Sequence, residues 1–283
     1  MKKLILFIPL IYWLISSCTE IMDMDLNDEN NNRLVVEGTI TDELKLHKVK
    51  LSRTSDYFLN QPAKSELGAI VTISNEDTLF NLVDIDNDGV YHTDKELAGT
   101  PGKSYLLNVI LADGNVHTAE SFMKPVPPMD SIKYEYLKSD IPFDESFYYS
   151  INIFVQEPPS TGDCYQWELF IDGVHDSDTL RNKNFVTDDF VNGVYISNWP
   201  VYQIKEEKIE NDTSVIKLQM LSISKEEYNF KLAILFETDF SGAGFSGPPA
   251  NIPSNVSNGA VGYFSASAVT EDSLLIFKGR NVD

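Results

Sequence analysis

Cysteine, histidine and positive charge are scarce in this chain of 283 residues. Its 2 cysteines give no disulfide framework. Its 4 histidines, His47, His92, His117 and His175, are scattered along the chain. None shows H-E-x-x-H spacing, so a zinc hydrolase site would have to be assembled from distant residues. No G-x-S-x-G elbow occurs, which leaves serine nucleophile chemistry without a local signature. Lys and Arg number 22 against 43 Asp and Glu, for a formal net charge of −21. Such a surface repels phosphates on average, which argues against a nucleic-acid partner. It also makes the chain a poor binder of anionic membranes. No apolar run reaches the roughly 20 residues that a bilayer-spanning helix needs. What is present in quantity is core material. Apolar residues make up 42% and aromatics 11%, which excludes disorder and collagen-like fibre.

The N-terminus carries the most specific pattern. Lys2 and Lys3 precede an apolar run from Leu4 to Ile15, broken only by Pro9. This has the shape of a signal peptide. The run ends in Ile15-Ser16-Ser17-Cys18, which resembles a bacterial lipobox. Small residues before the cut let the backbone fit the peptidase, and the thiol after it carries the lipid. Residues 1–17 are therefore expected to be a lipoprotein signal peptide, with Cys18 as the acylated, palmitate-bearing residue. Each buried CH₂ contributes about 0.8 kcal/mol, and several chains together anchor stably. Residue 19 is Thr and not Asp, so the inner-membrane retention signal of some Gram-negative lipoproteins is missing. Residues 18–32 read as an acidic tether, with Glu20, Asp23, Asp25, Asp28 and Glu29. Acids placed there are similar to the surface-export signal of Bacteroidota lipoproteins. The expected location is the outer membrane, lipid-anchored and facing the cell exterior. Cys164 is then left alone and is expected to be a small buried residue.

Past the tether, period-two alternation dominates. Leu34, Val36 and Ile40 share one face, as do Val49 and Leu51, Val71 and Ile73, and Tyr105, Leu107 and Val109. Short strands separated by Gly, Asn and Asp predict a β-sandwich over 33–122. Lys124-Pro125-Val126-Pro127-Pro128-Met129 then marks a Pro-rich linker over 123–129. A second β-rich domain is expected over 130–283, from alternation at Ile132-Tyr134-Tyr136, Tyr149-Ile151-Ile153-Val155 and Tyr165-Trp167-Leu169. One short helix is predicted there. Ser224 and Glu227 have capping-box spacing, and Tyr228, Leu232, Leu235 and Phe236 follow at helical intervals to about Asp239. Residues 241–259, rich in Gly, Pro, Ser and Asn, read as a long loop. The fold class is thus mainly β, with two sandwich domains that resemble prealbumin- or Ig-like modules.

The order of several short pieces carries a resemblance. These are Leu34-Val35-Val36-Glu37-Gly38, Val49 to Phe58, Gly68 to Ile73, Gly89-Val90-Tyr91, Pro101-Gly102-Lys103-Ser104-Tyr105, Pro248 to Ile252 and Gly262-Tyr263-Phe264. With the lipobox, they resemble a family of Bacteroidota outer-membrane lipoproteins whose domain is of unknown function. The resemblance implies an accessory lipoprotein encoded beside a TonB-dependent transporter, the suspected β-barrel partner. It implies no catalytic residues.

Two spellings suggest chemistry. Asp84-Ile85-Asp86-Asn87-Asp88-Gly89 matches the first half of an EF-hand-type loop, making Asp84, Asp86 and Asp88 candidate Ca²⁺ ligands. The twelfth position is Lys95, where a bidentate Glu is needed. The same residues suit an acidic hairpin turn. Gly242 to Gly247 spells G-x-G-x-x-G but lacks the strand before it and the helix after it. Apart from calcium, no cofactor is expected. Asp77-Thr78, Asp130-Ser131, Asp178-Thr179 and Asp272-Ser273 resemble the O-glycosylation sequon of exported Bacteroidota proteins, so Thr78, Ser131, Thr179 and Ser273 are candidate sites. The leading expectation is a non-enzymatic accessory or ligand-binding module. Its contact surfaces would be the 241–259 loop and the cluster Phe143, Phe147, Tyr148 and Tyr149. The alternatives are a surface hydrolase of polysaccharide or peptide, and an adhesion or spacer module stiffened by calcium.

Overall fold

The computed structural model describes residues 32–55, 62–239 and 252–281. The signal peptide, Cys18 and the tether up to residue 31 lie outside these residues, as do 241–251 of the expected loop. Alternation in the first part of the chain produces β1 (Leu34–Thr41), β2 (Lys48–Arg53), β3 (Ile70–Ser74), β4 (Leu79–Val83), β5 (Val90–Thr93), β6 (Ser104–Ile110) and β7 (Val116–Phe122). There follow β8 (Met129–Lys138), β9 (Phe147–Gln156), β10 (Cys164–Ile171), β11 (Val174–His175), β12 (Asn184–Thr187), β13 (Tyr195–Lys205) and β14 (Thr213–Ile223). The helix α1 (Lys225–Asp239), β15 (Val261–Ser267) and β16 (Val269–Phe277) complete the fold. The protein is mainly β, built from sandwich- and barrel-like sheets.

The first sheet has the order β15-β1-β2-β5-β4-β3-β6-β7. It curls until its two ends meet. Ala266 N donates to Ser121 Oγ at 2.9 Å, and Val256 bridges to Ala119. Val36, Leu51, Ile73, Tyr91, Leu107 and Phe264 fill the interior. Each such side chain contributes about 1.5–3 kcal/mol by leaving water. β15 pairs parallel to β1, with Gly262 opposite Val36. Gly262 has φ of +101°, and a Cβ there would lie 2.0 Å from the Val36 carbonyl oxygen. Only glycine permits that approach.

The second core lies between two further sheets. One has the order β11-β10-β14-β16, with β12 also pairing β10, and the other β13-β9-β8. Tyr149, Ile151, Ile153, Trp167, Leu169, Ile216 and Leu218 pack between them. Helix α1 starts as the sequence predicts, since Ser224 Oγ accepts from Glu227 N at 3.0 Å. The reciprocal half of the capping box is replaced. The Glu227 carboxylate takes the Ser265 hydroxyl and Lys231 Nζ, both at 2.5 Å.

Two organisational expectations change. The expected domain over 130–283 is not continuous in space, because β15 joins the first sheet and Ala260 to Ala268 belong to the first core. A pairing between strands more than two hundred residues apart decides this. The Pro-rich segment is also not a free spacer. Lys124 bridges to Ser267, and Val126 packs against both cores. The described residues from Arg33 onward form one compact unit.

Candidate functional site

The second core is incompletely filled near the end of β12. A pocket of about 280 Å³ opens there, walled by β9, β10, β12, β13 and α1. Trp167, Tyr165 and Met220 come from one sheet, and Ile153, Val155 and Trp199 from the other. Phe185, Phe190 and Tyr228 close the remaining sides. The local causes are visible. Tyr165 and Trp167 continue the inward alternation of β10. On β13 the register slips between Ile196 and Trp199 as the strand pairs with β9. Such bulges re-aim side chains, and Trp199 lines the mouth. Pro200 is tolerated because β13 is an edge strand.

The floor is acidic. Glu157 follows β9 in the inward register of Ile151, Ile153 and Val155 and is buried, as are Asp163 and Asp188. Oxygens of the three carboxylates lie within 4.8 Å of one another, and among the described residues this is the one acidic group able to reach a single ion. Glu157 Oε1 accepts from Tyr165 Oη at 2.9 Å, and Asp163 Oδ2 from Ser160 Oγ at 2.8 Å. Asp188 Oδ1 accepts from Gly162 N at 3.1 Å. Lys124 Nζ pairs with Asp163 Oδ1 at 2.5 Å. Burial raises the Glu157 carboxyl above its ordinary value of 4.5, and the nearby Asp163 and Asp188 add to this against the Tyr165 hydroxyl bond and Lys124. Burial and the Glu157 carboxylate push the Tyr165 phenol far up.

Two polar atoms of the lining residues are unsatisfied. Trp167 Nε1 and Asp188 Oδ2 are buried and make no hydrogen bond. A buried unpaired polar atom costs about 1–3 kcal/mol, more when charged. One is a donor and the other an acceptor, set among aromatic walls. That is the composition of a small-molecule site: mostly apolar, with a few placed polar groups.

Lys231 and His175 are already engaged. Beneath α1, Lys231 Nζ donates to Gln166 Oε1 and Glu227 Oε1, both at 2.5 Å. His175 turns the same Nε2 toward Ser177 Oγ at 3.1 Å and Glu168 Oε2 at 3.5 Å. A catalytic triad needs two different ring nitrogens for those two partners.

Asp84, Asp86 and Asp88 lie in the β4–β5 connection. Asp84 Oδ1 accepts from Asp88 N at 3.2 Å and Oδ2 from Gly89 N at 3.0 Å, while Asp88 Oδ1 accepts from Val90 N at 2.9 Å. The carboxylates cap a turn, and Asp86 faces solvent. Thr78, Thr179 and Ser273 are exposed, and Ser131 is half-buried in β8. The proposed aromatic contact cluster divides. Phe143 is 103% exposed, whereas Tyr149 is a core residue at 0%. Cys164 is buried and free, its thiol pushed up to about 11 by burial. The Gly242–Gly247 motif lies outside the described residues.

The pocket escapes sequence reading because its acids sit between strands, in a chain where acids abound. One signal was available: Glu157 falls where the alternation of β9 calls for another apolar residue.

A family described as a domain of unknown function (DUF4249) matches residues 19–273. The chain belongs to the DUF4249 family. That match takes in every buried residue of the two cores except Ile276, and every residue of the pocket floor. No curated protein matches the chain. Among solved structures, this DUF4249 chain is similar to the fibronectin(III)-like modules of Clostridium thermocellum CbhA, with 13% identity over 66% of this chain and 82% of that one. The TM-score is 0.20, too low for that likeness to carry an argument.

Proposed function

We propose that this DUF4249 protein is a lipid-anchored accessory lipoprotein of the outer membrane. It faces the cell exterior, binds a ligand in the aromatic pocket and works with a TonB-dependent β-barrel transporter. The observation that carries the ligand-binding role is the pair of buried, unpartnered atoms, Trp167 Nε1 and Asp188 Oδ2, in one apolar pocket. A molecule that satisfies both offsets a cost the fold otherwise bears. Anchoring is supported by the lipobox ending at Cys18 and by the acids that follow it. Exposed aromatics beside the pocket support docking on a partner, since Phe190 is 97% and Trp199 47% exposed.

The test is metabolic labelling with palmitate, followed by mild-detergent purification. The native chain should carry the label, fractionate with envelopes and bring a β-barrel with it. The Cys18→Ser variant should do none of these. An unlabelled native chain, or one recovered without a barrel, overturns the reading.

A further inference from the structure

The pocket's charge and walls name a ligand class. This step rests on the ligand-binding reading above and extends it. Glu157 and Asp188 line the pocket, and Asp163 stands within reach of both. No Lys, Arg or His lines it. Two cations stand at its edge and are already paired: Lys124 with Asp163 of the floor at 2.5 Å, and Lys225, 3.9 Å from Asp189, over the Tyr228 ring of the wall. The unpartnered acceptor, Asp188 Oδ2, therefore belongs to the lining of an apolar pocket with an excess of negative charge. Around it stand aromatic rings, including Trp167, Phe185 and Trp199. Aromatic faces attract cations through the ring quadrupole, most strongly where water is excluded. A carboxylate adds a charge-assisted hydrogen bond.

We infer that the pocket takes an organic cation, an ammonium group on an apolar body, with the ammonium on Asp188 and a ligand oxygen accepting from Trp167 Nε1. A bare divalent metal ion suits the site less well. The walls are largely apolar, and Lys124 already holds one of the three carboxylates. Hard cations require six or more oxygen ligands. An anion would meet Glu157 and Asp188 directly.

The fluorescence of the full chain tests this, because Trp167 and Trp199, two of the three tryptophans, line the pocket. Phenethylamine, 2-phenylethanol and 3-phenylpropanoate share one apolar body and differ in charge. The uncharged dye N-phenyl-1-naphthylamine reports whether the pocket accepts apolar molecules at all. Phenethylamine should bind at least about tenfold more tightly than the alcohol, and the carboxylate more weakly than either. Asp188→Asn, nearly isosteric, should abolish the preference for the amine and leave dye binding intact. Glu157→Gln should reduce that preference by a smaller factor. If the dye binds and the three phenyl compounds bind alike, the cation inference falls and the ligand site stands. If calcium chloride alone changes the fluorescence, Asp188→Asn removes that change and the amine shows no preference, the site holds a metal and the inference falls. If neither the dye nor any phenyl compound binds, both readings fall.

Discussion

The two cores treat buried polar groups in opposite ways. In the first, His47 is nearly sealed, yet both ring nitrogens are used. Thr41 N donates to Nδ1 at 3.4 Å, so the proton sits on Nε2 and is donated to Leu97 O at 2.9 Å. In the second, Trp167 Nε1 and Asp188 Oδ2 are equally sealed and have no partner. The first sheet curls until its edges meet, which closes its interior. The second core lies between separate sheets that part beside β12. Closure leaves no room for a guest, and the open-ended sandwich does. The candidate pocket accordingly lies in the second core.

The comparison breaks most sharply at Gly262. Alanine there would place a Cβ 2.0 Å from the Val36 carbonyl oxygen, at a φ of +101°. Gly262→Ala should cost more than about 4 kcal/mol in urea unfolding, because it parts β15 from β1. Native-like stability would show that the parallel pairing does not close the first lobe.

The next effect is smaller. His47→Leu strands the Thr41 amide in the first core, while the Leu97 carbonyl keeps the Lys45 amide at 3.2 Å. The expected loss is about 1–3 kcal/mol by the same measurement, the cost of one stranded group. Asp188→Asn, by contrast, breaks no side-chain pairing at Oδ2 and should cost under about 1 kcal/mol while changing ligand choice. Equal costs for the two variants would erase the distinction between the cores.

The pH responses of the two cores should also oppose each other. Burial lowers the His47 imidazole below its ordinary value of 6.5. Its contribution to stability is present above that value and declines as pH falls toward the folded value. Glu157 is raised above 4.5, so its contribution is full below that value and is lost as pH rises through the folded value. Glu157→Gln keeps an acceptor for Tyr165. It should be the more stable chain at pH 8, with the gap closing below pH 4.5, as read by thermal midpoints across pH. A gap that widens on acidification would reverse the assigned sign.

The smallest expected effect lies in the β4–β5 turn. Asp84→Ala removes the acceptor for Asp88 N and Gly89 N and should cost about 1 kcal/mol. That cost should be the same in calcium and in chelator. A calcium-dependent difference would return the loop to the ion-binding role that its spelling suggests.

How far the sequence reads depends on how local each cause is. Alternation at Val36, Leu107, Tyr165 and Trp167 announced strands and core, because a pleated strand sends every second side chain to one face. Ser224 announced the start of α1, because capping acts within one turn. The aromatic contact patch was only half legible. Phe143 and Tyr149 look alike in sequence, but Phe143 lies in the turn before β9 and projects to solvent, whereas the register of β9 sends Tyr149 inward.

The sequence by itself determined the mainly β class, the length of the helix and the change of core at the Pro-rich segment. These follow from preferences expressed over a few neighbouring residues. Only the tertiary structure decided that β15 returns to the first sheet and that Glu157, Asp163 and Asp188 meet beneath Trp167. Both depend on contacts between residues far apart in the chain, where many pairings satisfy the same local pattern and burial of the whole core selects one.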